Sequence, residues 1–333
     1  MRKTLIIAEA GVNHNGSIKR CLKLVDIAKK VGADIIKFQT FKAETLSIKN
    51  SPKAEYQKKY NKNETQQEML KKLELSRNDH YLISNYCKKK KIEFLSSAFD
   101  VEDLIFLKQL KVKRFKVPSG EITNYFYLKK IAAFKKEVIL STGMSNMEEI
   151  SEAIKLLLKS GLSKKKIKLL HCISEYPADI SNLNLKAILS LKKKFGLEVG
   201  YSDHSKSTIM PSIAIALGAT IIEKHLTINN NLVGPDHASS LNPLDFEIMV
   251  NNIRSAERSF GNGIKKANKN EKKNLLIVRK SIVARTSIKK GSRISLKNIC
   301  FKRPGKGISP MKYQSVLGKK SKKHFKKDDI IIL

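Results

Sequence analysis

The chain has 333 residues, 41% of them hydrophobic, which is enough to bury one large core and a second, smaller one. No run approaches the roughly 18 apolar residues that cross a bilayer, and "MRKTLIIAEAGVNHNG" is too short in its apolar part for a signal peptide and carries Glu9 inside it. Lysine and arginine number 66 against 30 acids, a formal charge of +36, yet the cations are spread along nearly every helical segment and there is no Trp, RNP-like strand or zinc finger, so a solvated basic surface that steers anions is expected rather than nucleic-acid binding.

Apolar strand-like runs begin near residues 4, 34, 93, 114, 137, 167, 198 and 220: "TLIIAEAG", "DIIKFQTF", "EFLSSAF", "RFKVPSGE", "EVILSTGM", "IKLLHCISEYP", "EVGYSDHS" and "TIIEKHLT". A helical pattern follows each. After the first strand, Cys21, Leu24, Val25 and Ala28 fall on one helix face before Gly32. After the fifth, Ile150, Ile154, Leu157 and Leu158 do so before Gly161. Eight βα units without a composition break predict a closed (β/α)8 (TIM) barrel over residues 1–261. The long link after the second strand, residues 42–63, is read either as a lid over the barrel mouth or as a disordered loop. Residues 262–278 are polar and read as a linker. Residues 279–333, with short β-type runs and Gly turns, read as a small β-rich domain of about 55 residues, which is marginal for a core standing alone and is expected to dock on something. Cys21, Cys87, Cys172 and Cys300 lie far apart with no CxxC pair, which fits a reducing cytoplasm.

In a (β/α)8 barrel the site lies where the strands end. Each predicted strand closes on polar residues: Glu9; Lys37 and Gln39; Ser96 and Ser97; Lys116, Ser119 and Glu121; Ser141 and Thr142; His171, Ser174 and Tyr176; Ser202, Asp203 and His204; Glu223, Lys224 and His225. His204 and His225 end adjacent strands, so two imidazoles with open positions suit a divalent metal; a structural hydrogen-bonding role is the alternative. Lys37 and Lys116 sit among hydrophobic neighbours, where a charge needs a partner, and with Ser119, Ser141 and Ser202 they would line an anion site for phosphate or carboxylate. Glu9, Glu121 and Asp236 are carboxylates able to hold hydroxyls or move protons.

The ordered motifs "EAGVNHNG", "KFQTF", "KVPSGEI", "LSTGM", "LHCISEYP", "GYSDHS", "EKHLT" and "GPDH" closely resemble the bacterial sialic acid (N-acetylneuraminate) synthase family, and the tail with "FKRPGKGISP" resembles its C-terminal antifreeze-like (SAF) domain. The resemblance covers essentially the whole chain. It implies a cytoplasmic, metal-dependent (Mn²⁺, Co²⁺ or Mg²⁺) transferase that condenses phosphoenolpyruvate with N-acetylmannosamine, giving a nine-carbon 2-keto acid and phosphate. The same chemistry on a 2,4-diacetamido-trideoxyhexose, giving legionaminic or pseudaminic acid, is the alternative, and "KAEYQKKY" and "SEYPADI" occur in synthases of the legionaminic type. A non-catalytic barrel tethered by the tail is a further rival, against which the intact site residues speak. The resemblance places His204 and His225 as metal ligands, and Lys37, Lys116, Ser119, Ser141, Ser174 and Ser202 around phosphoenolpyruvate. Gln39, Glu121, Tyr176 and Asp236 fall on the amino-sugar side, Glu9 near the reacting centre. It also implies a domain-swapped homodimer in which Arg303 reaches the N-acetyl group of the partner's substrate. "FLSSAFD" stands where "FLSTPFD" is commoner, which touches Ser97 as a phosphoenolpyruvate contact, and Ala238 stands where a lysine is usual. Either Glu9 or Glu121 is placed to handle the proton of the attacking water.

Overall fold

The computed structural model describes residues 3–59 and 64–333, which form two compact units, residues 1–260 and 261–333. In the first, β1 (Leu5–Gly11), β2 (Ile35–Thr40), β3 (Glu93–Ala98), β4 (Arg114–Val117), β5 (Glu137–Ser141), β6 (Ile167–Cys172), β7 (Glu198–Asp203) and β8 (Ile221–His225) pair in parallel in sequence order, and β8 closes on β1. The helices are α1 (Ile18–Lys30), α2 (Ala43–Leu46), α3 (Gln66–Lys71), α4 (Arg77–Lys90), α5 (Val101–Gln109), α6 (Tyr125–Ala133), α7 (Met147–Lys159), α8 (Ala187–Phe195), α9 (Met210–Ala216) and α10 (Pro243–Ser259). This is the predicted (β/α)8 barrel.

Two periodicities build it. On α1 the residues at helix-face spacing, Cys21, Leu24, Val25 and Ala28, are buried, and the Ser17 hydroxyl caps the first turn. On α7 the buried face is Ile150, Ala153, Ile154 and Leu157, while Leu158 turns outward at 38% exposure, one residue past the stripe. Along the strands the period is two. Ile7, Ile35, Leu95, Ile139, Leu170 and Ile221 form an apolar layer inside the barrel, distinct from the larger core between strands and helices. Gly200 holds the corresponding place on β7, where a Cβ would come within 2.6 Å of the Leu170 side chain. Below this layer, Arg114 pairs with Glu93 and Glu137, and Lys168 with Glu137 and Glu198.

The expected loop at 42–63 carries α2 and a short 3-10 turn at Glu55–Lys59; positions 60–63 fall outside the described residues. The second unit begins differently from the sequence reading: within the expected linker, α11 (Lys269–Val278) forms, with Asn268 and Glu271 making a capping box. Then β9 (Ser281–Ala284) and β10 (Ile299–Lys302) pair antiparallel over a small core of Ile282, Ala284, Ile288, Ile294, Ile299, Val316, Phe325 and Ile331. Among the described residues no helix is long and apolar enough to cross a membrane.

Candidate active site

The residues two beyond the apolar layer face the same way, and they are the polar ones. Glu9, Lys37, Ser97, Ser141, Cys172, Ser202 and Glu223 stand one layer up, with Lys116 of β4, and line a cavity of about 440 Å³ at the C-terminal ends of the strands. Gln39, Ser174, His204 and His225 lie two residues further toward the mouth, joined by Ser119, Tyr176 and Asp236 from the loops.

The floor is a buried charge cluster. The Lys37 ammonium lies 2.8 Å from Glu9 and 3.6 Å from Glu223, and donates to the Ser97 hydroxyl at 3.2 Å. Lys116 donates to Ser141 Oγ at 2.6 Å and lies 3.8 Å from Glu223, which also accepts from the Ser202 hydroxyl at 3.0 Å. Burial works against charge on all four groups, and the outcome differs with the neighbours. Against that penalty, Lys116 and Lys37 hold Glu223 below the usual carboxylate range, and Glu223 and Glu9 hold Lys37 above its usual value. Burial lowers Lys116, with the like charge of Lys37 adding to the shift. Burial lifts Glu9 to about 7 despite Lys37, and its Oε2 has no hydrogen-bond partner. The two carboxylates of the cluster are thus shifted in opposite directions, Glu9 upward and Glu223 downward.

Beside the lysines, Gly143 N–H donates to Ser119 Oγ at 3.0 Å. A side chain at Gly143 would come within 2.8 Å of Ser119 Oγ and 2.9 Å of Cys172 Sγ, and would also strike Ser174 Oγ, so only glycine leaves this hydroxyl-lined pocket open.

On the opposite side, the His204 and His225 rings lie 5.5 Å apart between centroids, and the Tyr176 ring covers His204 at 4.2 Å. His204 Nδ1 is 2.6 Å from the Ile173 carbonyl, so it carries the proton and Nε2 keeps its lone pair. His225 Nδ1 is buried without a hydrogen-bond partner, 3.8 Å from Asp236. Burial brings His204 down to about 4 and His225 well below its usual value, and lifts Asp236 to about 6. Both imidazoles are thus neutral at pH 7. Among the described residues no group of three or more His, Cys, Asp and Glu side chains is set to hold a metal. The donors present fit an ion held by two imidazoles, with its other positions left to water or substrate.

Not every strand-end residue belongs to this site. Alternation turns Asp203, Lys224, His171 and Ser96 toward the helices. Ser96 joins Thr40, which in turn contacts His80, and His171 meets the Leu183 carbonyl at 2.8 Å. Lys224 donates to Asp203 at 2.6 Å and to the Ser205 and Ser207 carbonyls, while Asp203 accepts from Tyr201 OH and Ser205 N. This pair is almost fully buried, so Asp203→Asn, which leaves the ammonium without its counter-charge, should cost about 3–5 kcal/mol of stability in denaturant unfolding. A change under 1 kcal/mol would show that the ion pair does not hold β7 to β8 (roughly the value of an exposed pair). Glu121 follows the cavity-lining Ser119 and Gly120; it is half-buried and accepts from Asn124 at 2.7 Å. Arg303 follows β10 in the second unit and is exposed. Glu223 was named among the polar strand ends but given no role; the signal for one was its position two before His225 on the same strand.

A (β/α)8 barrel with a lysine- and hydroxyl-lined cavity and a histidine pair at one mouth, followed by a small β domain, defines the class: a barrel with its candidate site at the C-terminal rim. The NeuB family model matches residues 24–265 and the SAF domain model residues 279–332. The chain belongs to the NeuB family. It is 50% identical over 332 residues to an N,N'-diacetyllegionaminic acid synthase of Campylobacter jejuni, covering 99% of both chains, and 47% identical to one of Legionella pneumophila, covering 94% of this chain and 89% of that one. Among solved structures, an N-acetylneuraminic acid synthetase of Leptospira borgpetersenii matches with a TM-score of 0.74 at 33% identity, covering 82% of this chain and 90% of that one.

Proposed function

We propose that this chain condenses phosphoenolpyruvate with a 2,4-diacetamido-trideoxyhexose, forming a nine-carbon 2-keto acid of the legionaminic type and phosphate. The observation that carries the chemistry is the single cavity joining the Lys37–Lys116 cluster to the His204–His225 pair. The sugar expected first from sequence, N-acetylmannosamine, gives way to the diacetamido sugar because the 50% and 47% identical relatives are both named for the legionaminic product.

Lys37, Lys116, Ser119, Ser141 and Ser174 hold the phosphate and carboxylate, while Gln39, Tyr176 and Asp236 orient the sugar aldehyde toward phosphoenolpyruvate C3. His204 and His225 would hold a divalent ion (Mn²⁺, Co²⁺ or Mg²⁺), which would supply Lewis-acid stabilisation of the charge developing on the aldehyde oxygen. C3 bonds to the aldehyde carbon, and water adds to the cation left at C2. Glu9, which lines the cavity and whose carboxyl burial raises to about 7, takes one proton of that water and returns it to the alkoxide. The tetrahedral centre then breaks its C2–O bond to phosphate and becomes the ketone, its hydroxyl proton leaving with the phosphate. Phosphate release from phosphoenolpyruvate, measured with a panel of amino-sugars with and without EDTA, tests this function. No release with any amino-sugar in the presence of metal would overturn it.

Lys116→Met removes a charge-assisted contact and should raise the KM for phosphoenolpyruvate about tenfold to a hundredfold, with little change in KM for the sugar. Equal effects on both would contradict the assignment.

The proposal extends to a homodimer in which Arg303 of one chain serves the other's barrel. Its support is the family resemblance together with the exposure of that guanidinium. Mixed Arg303→Ala and His204→Ala chains should regain activity once subunits exchange, because one of the two sites then carries neither lesion. No recovery despite proven exchange would mean that Arg303 acts within its own chain.

A further inference from the structure

The cavity has two chemically different halves. Its floor is lysine, carboxylate, hydroxyl and imidazole. One side of its mouth is mainly apolar: Leu46, Met69, Leu70 and Leu73 from the connection between β2 and α4, with Val12 and Phe99 beside them, while Gln57 and Gln66 of the same connection also line it. The apolar side chains form a hydrophobic cluster separate from both barrel cores. The wall is also held in shape. Glu74 accepts from the Ala43 N–H at 2.8 Å and pairs with Lys42 at 2.9 Å. The Ser47 and Ser51 hydroxyls donate to Gln66 Oε1 at 3.0 and 3.1 Å, and Thr65 and Glu68 cap α3 reciprocally. A preorganised apolar wall over a polar floor discriminates among ligands that share a polar end.

The two candidate sugars differ in that way. N-acetylmannosamine presents a hydroxyl and a hydroxymethyl where the diacetamido-trideoxyhexose presents an acetamido group and a methyl. Against aliphatic side chains a hydroxyl gives up water and gains no partner, whereas a methyl gains burial. We propose that Leu46, Met69, Leu70 and Leu73 form the sugar-selecting wall, packing on the deoxy methyl and an acetamido methyl of the diacetamido sugar. This rests on the function proposed above and adds the residues that set its specificity.

The test compares kcat/KM for the two sugars at saturating phosphoenolpyruvate, in the wild-type chain and in Met69→Gln, Leu70→Gln and Met69→Leu. Glutamine keeps the length and helix propensity of the residues it replaces, and Leu70, which is less buried than Met69, gives a second reading should Met69→Gln fold poorly. The preference for the diacetamido sugar should fall about tenfold or more in either glutamine variant, the discrimination that a methyl-sized apolar contact supplies. It should persist in Met69→Leu, and the KM for phosphoenolpyruvate should stay near the wild-type value in all three. If the wild-type chain prefers the diacetamido sugar and the glutamine variants lose both sugars by the same factor, the wall is structural and this inference alone fails. If the wild-type chain prefers N-acetylmannosamine, the functional reading fails and the inference with it.

Discussion

Replacing His204 and His225 together by alanine should lower turnover by about a thousandfold or more and abolish its dependence on added metal. The two rings end β7 and β8, lie 5.5 Å apart and are both kept neutral by burial, so each offers a nitrogen lone pair at pH 7. A bound metal contributes several kcal/mol of charge stabilisation to an addition of this kind, and each roughly 1.4 kcal/mol is a factor of ten in rate. The fold should survive, because neither ring joins β7 to β8; that link is made behind them by Lys224 and Asp203. Chelation of the wild-type protein should reproduce the loss, and Mn²⁺, Co²⁺ or Mg²⁺ should reverse it. Full activity in the double variant, or in EDTA, would sink the metal assignment.

Glu9→Gln should reduce kcat about a hundredfold to ten-thousandfold, the range for losing a positioned general base. It should also change the shape of the pH profile, which a loss of packing would not do. Burial raises the Glu9 carboxyl to about 7, so it is protonated below that pH and ionised above it. A base works in its ionised form, so wild-type kcat should climb as pH rises through about 7 and level off beyond. Glu223 is shifted the opposite way by Lys116 and Lys37 and stays ionised throughout, as the fixed counter-charge to the lysines. Two carboxylates pushed apart in this manner mark separate roles. The limb near 7 should vanish in Glu9→Gln. An unchanged limb there would assign the titration to another group, with Asp236 at about 6 the first to examine.

The barrel was legible because its two periods are strong and its turns are punctuated by glycine: Gly32 and Gly161 both take left-handed φ values at the helix ends where they were expected. The rim was legible only in part. Reading every polar strand end as converging on one mouth ignored the alternation of the pleat. That alternation sends Ser202, His204, Glu223 and His225 inward and Asp203 and Lys224 outward. Counted by twos from Ile221, β8 reads Ile221, Glu223, His225 as a single inward stripe, which separates Glu223 from its outward neighbour Lys224. The apolar wall had no comparable signal. Leu46 lies in the Lys-, Ser- and Asn-rich stretch 42–63, whereas Met69 and Leu73 lie beyond it, and polar contacts such as Ser47–Gln66 and Lys42–Glu74 tie the two parts together. The helix Lys269–Val278 was hidden because its first six residues, KNEKKN, are polar; its signal was the Asn268–Glu271 capping box that opens it.

The most direct measurement is mass spectrometry of the product formed from phosphoenolpyruvate and 2,4-diacetamido-trideoxymannose with Mn²⁺ present, with inorganic phosphate followed in the same samples. The account predicts a new species with the mass of the diacetamido nonulosonic acid, appearing one for one with phosphate and absent without either substrate. Phosphate released with no such species, or a product formed from N-acetylmannosamine but not from the diacetamido sugar, would contradict it.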